Sequence, residues 1–421
     1  MIHFGIRTKL RSLRSRLGKI RGVLKARGRY RNAIRRIRAK PKGEKIRVLF
    51  LNSSTSKWKC QSVYQKMEES GLFEPIIGIT ALGEQASYSD SDLDKVFADS
   101  ELFFDSLGDR HVRVVDLHPK CYRDLAEFSP DIVFFPEPWL TKHPQTTAFV
   151  SRFALTCYVP YFVFTQSNPE KHCDLEMHRF LARYFILNES IAKEYAKAHF
   201  WWRQSFDFVV AGHPALDGID DSPSANGNGC VIYAPHHSVW DGPQYLSIPI
   251  STFSYFGDPI LDYAKKHPEI EWAFKPHPRL RYTLEHDLCW TKDRIDAYYK
   301  EWEALGSACY DGSYGRLFAK SRAMITDCDS FLAEYGATGK PIIHLRRRDI
   351  TPQYHPYLKD LLKCYYQVFS TEDMRKAFGL VLERREDPMK GERLTALRKS
   401  GLFGIDAAQN IVDYLRKELR R

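Results

Sequence analysis

Short, nearly continuous apolar runs separated by longer amphipathic stretches recur through most of this chain, and that spacing restricts its fold more than any other feature. The runs are "IRVLFL" (46–51), "EPIIGIT" (74–80), "VRVVDL" (112–117), "DIVFFP" (131–136), "YFVFT" (161–165), "RYFILN" (183–188) and "FDFVVAG" (206–212). A strand with one wet face alternates apolar and polar residues. Runs this continuous suit strands covered on both faces, as in a parallel sheet flanked by helices. The pattern stops at "DDSPSANGNG" (220–229), whose Ser, Pro, Asn and Gly read as a linker. It restarts with "CVIYAP" (230–235), "IEWAFKP" (270–276), "RAMITD" (322–327) and "PIIHL" (341–345). The expectation is an α/β protein with two Rossmann-like, doubly wound domains facing a cleft, at 46–220 and 230–398. Residues 221–229 link them, a basic helical arm (1–45) precedes them and a C-terminal helix (399–421) follows. A length of 421 residues accommodates two such domains.

The net charge of +11 is concentrated in the arm. Residues 1–42 hold 16 of the 63 Lys and Arg and no Asp or Glu, so the other 47 basic residues meet 52 acidic ones, a net of −5. Ile6, Leu10, Leu13, Leu17, Ile20 and Leu24 follow steps of 4, 3, 4, 3 and 4, one apolar stripe on a helix rich in cations. Such a helix suits an anionic membrane surface, each nearby cation contributing about 1 kcal/mol. A short coiled coil, a helix docked on the body and an organelle transit peptide share the pattern. Nucleic acid is the less favoured anionic partner. No apolar run of about 18 residues is present, so no transmembrane span is expected. The nine cysteines form no C-x-x-C pair, which fits reduced thiols in the cytoplasm, and neither a metal nor an organic cofactor is expected.

In doubly wound sheets, ligands bind beyond the carboxyl ends of the strands. Three turns there carry the chemistry. "FKPHPRL" fixes His277 between two prolines, with Lys275 and Arg279 one step further out; either cation pairs with phosphate or simply faces water. "YAPHHSVWDG" supplies His236, His237 and Ser238. Adjacent histidines point apart and no carboxylate motif accompanies them, so donor contact is preferred to metal ligation. In "RAMITDCDSFLAEYGATGKPIIHL", Thr326, Asp327 and Asp329 form an acidic turn and Ser330 is placed to cap a helix. Its free N–H groups suit a phosphate, and Glu334 suits ribose hydroxyls or a solvated helix face.

The order "VVAGHPALDGI", "VIYAPHHSVWDG", "WAFKPHPRL", "AMITDCDSFLAEYGATGKPIIHL" resembles the CDP-glycerol glycerophosphotransferase family over roughly residues 207–346, with a weaker match at "KIRVLFLNSSTSKWK". The resemblance implies a GT-B fold, with 46–220 as the acceptor domain and 230–398 as the nucleotide-donor domain, a teichoic-acid-type or related surface-glycan acceptor and a CDP-activated donor. It implies a catalytic role for His277, donor-phosphate contact by the 326–330 turn, and a cleft-lining Gly-x-Pro-x-x-Asp turn at Gly212, Pro214 and Asp217. Asp329 stands where the family has serine. The family's N-domain His-Gly pair is replaced by Gln166 and Ser167; His172 and His178 follow, and His178, on the helix-like "LEMHRFLARYF", is the preferred substitute. The expected location is the inner face of the cell membrane. A GT-B glycosyltransferase using a nucleotide sugar for capsule or lipopolysaccharide is the alternative enzyme, and a nucleic-acid-binding protein acting through the arm is the alternative of another class.

Overall fold

The computed structural model describes all residues except 1, 82–84, 86–87, 118–119, 136, 139–141, 168–174, 199–206, 220–228, 240–248, 287, 289, 308–314 and 420–421, and describes only the backbone of 2–17 and 19. His172 and nearly all of the expected linker lie outside the described residues. The chain forms two compact units, Met1–Phe162 with Asn168–Asp217 and Asp406–Arg421, and Val163–Ser167 with Gly218–Ile405.

The first unit is built on β1 (Ile46–Asn52), β2 (Phe73–Ile79), β3 (His111–Arg113), β4 (Val115–Leu117), β5 (Lys120–Tyr122), β6 (Ile132–Phe135), β7 (Leu155–Tyr158), β8 (Arg183–Ile186) and β9 (Asp207–Val210). Seven of them form a parallel sheet in the order β3-β2-β1-β6-β7-β8-β9, while β4 and β5 pair separately as an antiparallel hairpin. The expected strand 112–117 is therefore two short ones. β1 is buried at every position except Arg47, as a strand covered on both faces requires. Phe50 stacks on Phe134 at 4.6 Å, and Phe134 on Phe185 at 6.0 Å, so aromatic rings run across three strands of the core.

The amino-terminal helix spans Ile2–Arg38. Its second half docks on this unit through Val23, Ala26, Tyr30, Ala33 and Ile37, all buried. Arg29 donates to the Ala148 carbonyl (3.1 Å) and Ser151 Oγ (2.9 Å), and Lys40 pairs with Asp131. The stripe that ends at Leu24 is a different face. At ~100° per residue it lies roughly 140° around the helix from the docked one, and Leu24 is 55% exposed. No helix of the described residues is long and apolar enough to cross a membrane.

At the other end of the chain, the helix Ala407–Leu419 packs Ala408, Ile411, Val412, Leu415 and Leu419 into the same core. Its first amides, Ala407 and Ala408, donate to the Asp217 carboxylate at 2.8 and 3.0 Å, and Ser62 Oγ donates at 2.7 Å. A carboxylate at a helix amino terminus satisfies orphan N–H groups and complements the helix dipole. Asp217 thus serves as a cap and not as a cleft-lining group. Gly212, at φ +90°, makes the backbone turn, and Pro214 opens the short 3-10 turn Pro214–Leu216 that delivers Asp217 there.

The second unit carries β10 (Cys230–Ala234), β11 (Trp272–Phe274), β12 (Ser321–Thr326), β13 (Ile342–Leu345) and β14 (Tyr366–Val368) as a parallel sheet in the order β11-β10-β12-β13-β14. Phe274 stacks on Trp302 at 5.0 Å beneath it. The expected strand "YFVFT" does not form. Val163–Ser167 belongs to this unit, where Gln166 makes an antiparallel bridge to Tyr354, Ser167 N–H donates to the Gln353 carbonyl and His355 N–H to the Thr165 carbonyl, both at 2.8 Å. β-Propensity in an aromatic run is local, whereas the partner strand that would realise it is a tertiary matter.

Candidate functional site

In the second unit the strand order reverses at β10, which has β11 on one side and β12 on the other. A crevice outside the carboxyl ends of the strands at such a reversal is where open α/β sheets bind ligands. The three turns singled out in the sequence all leave the sheet here, from β10, β11 and β12, and they are bonded to one another. Lys275 N–H donates to the Tyr233 carbonyl (2.8 Å) and His277 N–H to the Pro235 carbonyl (3.0 Å), which continues the β10–β11 pairing past the strand ends. The Asp327 carboxylate accepts His236 N–H (2.6 Å) and both the amide and the hydroxyl (2.8 Å) of Thr252. Thr326 Oγ donates to the Ala234 carbonyl at 2.7 Å and accepts Cys328 N–H at 2.9 Å.

This bracing gathers three imidazoles. Ring centroids are 4.5 Å apart for His236 and His237, 5.1 Å for His236 and His277, and 4.2 Å for His237 and His277. The two adjacent histidines therefore do not point apart, because the chain bends at His237 and Val239 N–H donates to the His237 carbonyl at 2.8 Å. All three rings are half-buried. Burial and the neighbouring His237 hold His236 well below the usual histidine range. Burial, the other two rings, Lys275 and Arg279 do the same to His277.

Hydrogen bonding then fixes which nitrogen of these neutral rings carries the proton. His277 Nδ1 accepts Arg279 N–H at 3.1 Å. His236 Nδ1 accepts Ser238 N–H at 3.2 Å and lies 2.8 Å from Ser238 Oγ, which itself accepts Ile250 N–H at 3.1 Å. With Nδ1 an acceptor, a neutral imidazole holds its proton on Nε2. His236 and His277 consequently present N–H donors. The three rings could each offer one nitrogen to a metal, all within 4.8 Å. Metal ligation through Nε2, however, moves the proton to Nδ1, where in two rings a backbone N–H already points. The arrangement suits an anion better than a cation.

The remaining sequence-predicted residues divide. Lys275 is 5% exposed, with its ammonium 6.0 Å over the Phe331 ring, and Arg279 lies 5.9 Å from the Tyr282 ring. Ser238 orients His236. Thr326 and Asp327 are buried braces, and burial pushes the Asp327 carboxyl up to about 6. Asp329, also pushed up to about 6 by burial, accepts from Tyr354 OH at 3.0 Å and from Gln166, so it does not oppose a phosphate as an open carboxylate would. Cys328, not Ser330, is the cap of a helix only six residues long, Asp329–Glu334. Glu334 is 1% exposed and its charge helps to raise the Tyr357 hydroxyl, which places it away from solvent-borne ribose.

His178 is corrected as well. It lies on a 3-10 turn, Glu176–Phe180, is fully buried between Tyr158 and Tyr184, and its Nδ1 accepts Leu175 N–H at 3.1 Å. It is a core histidine of the first unit.

Sequence reasoning passed over a polar group at the reversal point of the first sheet, between β1 and β6. Ser53 Oγ donates to Glu137, Lys57 Nζ donates to the other carboxylate oxygen at 2.9 Å, and Gln85 Nε2 donates to the Ser53 carbonyl at 2.8 Å. A signal was present. "FFPEPW" sets Glu137 between prolines just after an apolar run, the same form as "FKPHPR" around His277.

No protein-family model matches the chain, and no curated protein does. Solved structures do. The UDP-GlcNAc 2-epimerase from Neisseria meningitidis bound to UDP-GlcNAc is 14% identical, with a TM-score of 0.54 over 88% of this chain and 100% of that one. The wall teichoic acid polymerase TagF aligns over 98% of both chains at 13% identity and a TM-score of 0.52 in a histidine variant soaked with CDPG. A second TagF variant aligns over 99% of this chain and 98% of that one, at 13% and 0.51. The chain has the GT-B fold.

Proposed function

We propose that this GT-B chain is a transferase that moves glycerol phosphate, or a related polyol phosphate, from a CDP-activated donor to a hydroxyl of a cell-surface glycan or teichoic-acid-like acceptor. The observation that carries the reading is the imidazole cluster at the reversal point of the second sheet, in which His236 and His277 accept at Nδ1 and so hold their protons on Nε2. Neutral N–H donors at fixed positions suit the non-bridging oxygens of a diphosphate, and they stabilise charge on the transferring group without themselves changing protonation. The acceptor hydroxyl oxygen attacks the β-phosphorus as its proton passes to water, the phosphoanhydride bond breaks, and CMP leaves with the bonding electrons. His277 is the donor residue beside the phosphoryl oxygens, and Lys275 and Arg279 supply positive potential around it.

The likeness to TagF, one structure of which was soaked with CDPG, supports this donor class. The likeness to an epimerase bound to UDP-GlcNAc supports a second reading, glycosyl transfer from a nucleotide sugar. Incubation with CDP-glycerol, CDP-ribitol and UDP-sugars separates the two. CMP release from a CDP-polyol is expected; UDP release from a sugar donor with no CMP from any CDP-polyol overturns the first reading. The arm supports a location at the inner face of the cell membrane. Its cation-rich, acid-free helix carries an apolar stripe on a face other than the docked one.

A further inference from the structure

We propose that the amino edge of the first sheet binds a small phosphate ester, with its anion at Arg36 and Arg47 and a short apolar substituent on Ile76 and Phe128. Doubly wound sheets hold their ligands beyond the carboxyl ends of the strands, so this is a second kind of site, at the other edge. Arg47 and Glu74 are the second residues of β1 and β2, while Arg110 and Asp131 immediately precede β3 and β6. These residues line two cavities, of about 250 Å³ and about 380 Å³, which share Arg47 and Pro130 in their walls. A water molecule takes about 30 Å³ of liquid, and volumes near 300 Å³ begin the range of small-molecule sites.

The smaller cavity opens where the sheet is bare. β2 lies between β1 and β3, yet Glu74 and Ile76 are only partly buried while every other residue of β2 is buried. A parallel strand inside a sheet is ordinarily covered on both faces. Arg47 pairs in register with Glu74 and Leu49 with Ile76, so the exposed face is an apolar floor with charge at its rim. Phe128, half-buried at the end of the 3-10 turn Leu125–Phe128, and Pro130 wall it in place of a helix.

The charges around the two cavities are unevenly matched. Glu74 accepts from Arg110 at 3.1 Å, and Arg110 also donates to the Pro75 carbonyl at 3.0 Å. Arg47 Nε reaches Glu74 only at 3.7 Å, too long for a hydrogen bond, so the guanidinium of Arg47 makes none among the described residues. In the larger cavity Lys40 engages both carboxylates, Glu44 at 3.0 Å and Asp131, and Asp131 also accepts the Arg47 backbone N–H at 2.9 Å. Arg36 gives one donor to the Phe153 carbonyl. Arg36 and Arg47 therefore keep N–H donors on one concavity, and guanidinium forks match the oxygens of a phosphate. An ester held there lays its substituent past the shared Pro130 onto Phe128 and Ile76. The proposal does not rest on the transferase reading, whose imidazole cluster belongs to the other unit.

The test is calorimetric titration of the full-length protein with hexyl phosphate and with inorganic phosphate. Hexyl phosphate is expected to bind, and more tightly than inorganic phosphate; Phe128→Ala should remove that preference. Arg47→Gln should weaken hexyl phosphate about tenfold or more. Its melting temperature should hold, because the 3.7 Å surface pair it removes contributes little. Glu74→Gln should tighten the ester, since the carboxylate that repels it and competes for Arg47 and Arg110 is gone, and a gain of affinity cannot come from misfolding. His277→Ala should leave the binding in place. Binding lost in His277→Ala but kept in Arg47→Gln belongs to the imidazole cluster and overturns the proposal, as does a wild type that ignores hexyl phosphate. If that wild type instead sediments with phosphatidylcholine vesicles carrying phosphatidic acid, and Arg47→Gln does not, the pocket holds a lipid phosphate and the small-molecule site is overturned. Ester binding with no CMP release from any CDP-polyol leaves this site standing and removes the donor reading.

Discussion

Replacing His277 with Ala, which has no hydrogen-bond donor, tests the assignment of His277 to the chemistry, and the pH profile of the wild type separates a neutral donor from a general base. In the wild type, Nδ1 takes the Arg279 amide at 3.1 Å, so Nε2–H is the ring's remaining proton. Loss of one preorganised donor to a developing oxyanion costs about 2.7–4 kcal/mol, or 10²- to 10³-fold in kcat. The assay is CMP release from CDP-glycerol across pH 6–8. Burial, His236, His237, Lys275 and Arg279 all lower the ring's affinity for a proton, so it stays neutral throughout that interval. The wild-type rate should therefore show no titration of this ring between pH 6 and 8. A general base would need a free Nε2 lone pair, which moves the proton to Nδ1 and directs it at the Arg279 N–H. An acid limb with an apparent pKa near 6.5 that vanishes in His277→Ala would refute the donor assignment, and an unchanged rate in His277→Ala would remove His277 from the chemistry altogether.

Three further outcomes follow from other parts of the fold. His213, buried in the first unit, donates from Nε2 to the Pro160 carbonyl at 3.0 Å and accepts Ala215 N–H at Nδ1, and burial lowers its pKa to about 4. The unfolded ring takes its proton near pH 6.5 and the folded one only near 4, so stability is complete above about 6.5 and falls by about 3 kcal/mol as pH drops to 4; urea titrations should show that slope reduced in His213→Gln. Arg393 is fully buried and serves the Gly339 carbonyl (2.9 Å), the Cys364 carbonyl and both oxygens of Asp387; Arg393→Met should cost about 3–5 kcal/mol in unfolding free energy, since it leaves a partly buried carboxylate without its cation. Deleting residues 2–17 should abolish co-sedimentation with phosphatidylglycerol vesicles while the melting temperature holds, whereas Ile37→Ala, in the docked half, should lower stability by about 2–4 kcal/mol; vesicle binding that survives the deletion would end the membrane role of the stripe.

The doubly wound sheets were legible because burial on both faces writes itself into a strand as a continuous apolar run. "IRVLFL" and "RAMITD" correspond to β1 and β12 for that reason. Three strands escaped notice. "KCY" (β5), "LTCY" (β7) and "YQV" (β14) are three, four and three residues long, too short for a run to stand out from its surroundings. "YFVFT" failed in the opposite sense, since its strand-forming residues join neither sheet and only Thr165 among them, with Gln166 and Ser167 beyond it, bonds to 353–355. The arm divides in the same way. Its first stripe is visible as a period of 3.5, but the face that docks uses Ala26 and Ala33, whose small side chains give little apolar signal.

The sequence by itself determined two α/β blocks, the placement of the Pro-His-Pro, His-His-Ser and Thr-Asp-Cys-Asp turns at strand ends, and the concentration of positive charge in the first 42 residues. Those follow from local rules, since period, proline and charge act within a few residues. Only the tertiary structure decided that the three imidazoles meet, that Asp327 and Asp217 are braces, that His178 is core, and that Gln85 and Glu137 meet at Ser53. His236 and His277 lie 41 residues apart in sequence and Asp217 and Ala407 190, and the ring proton of His277 is placed by one backbone amide whose direction exists only after the turn has folded. Chemistry at a strand end is legible as residue type, but protonation and pairing depend on what the fold brings to within 3 Å.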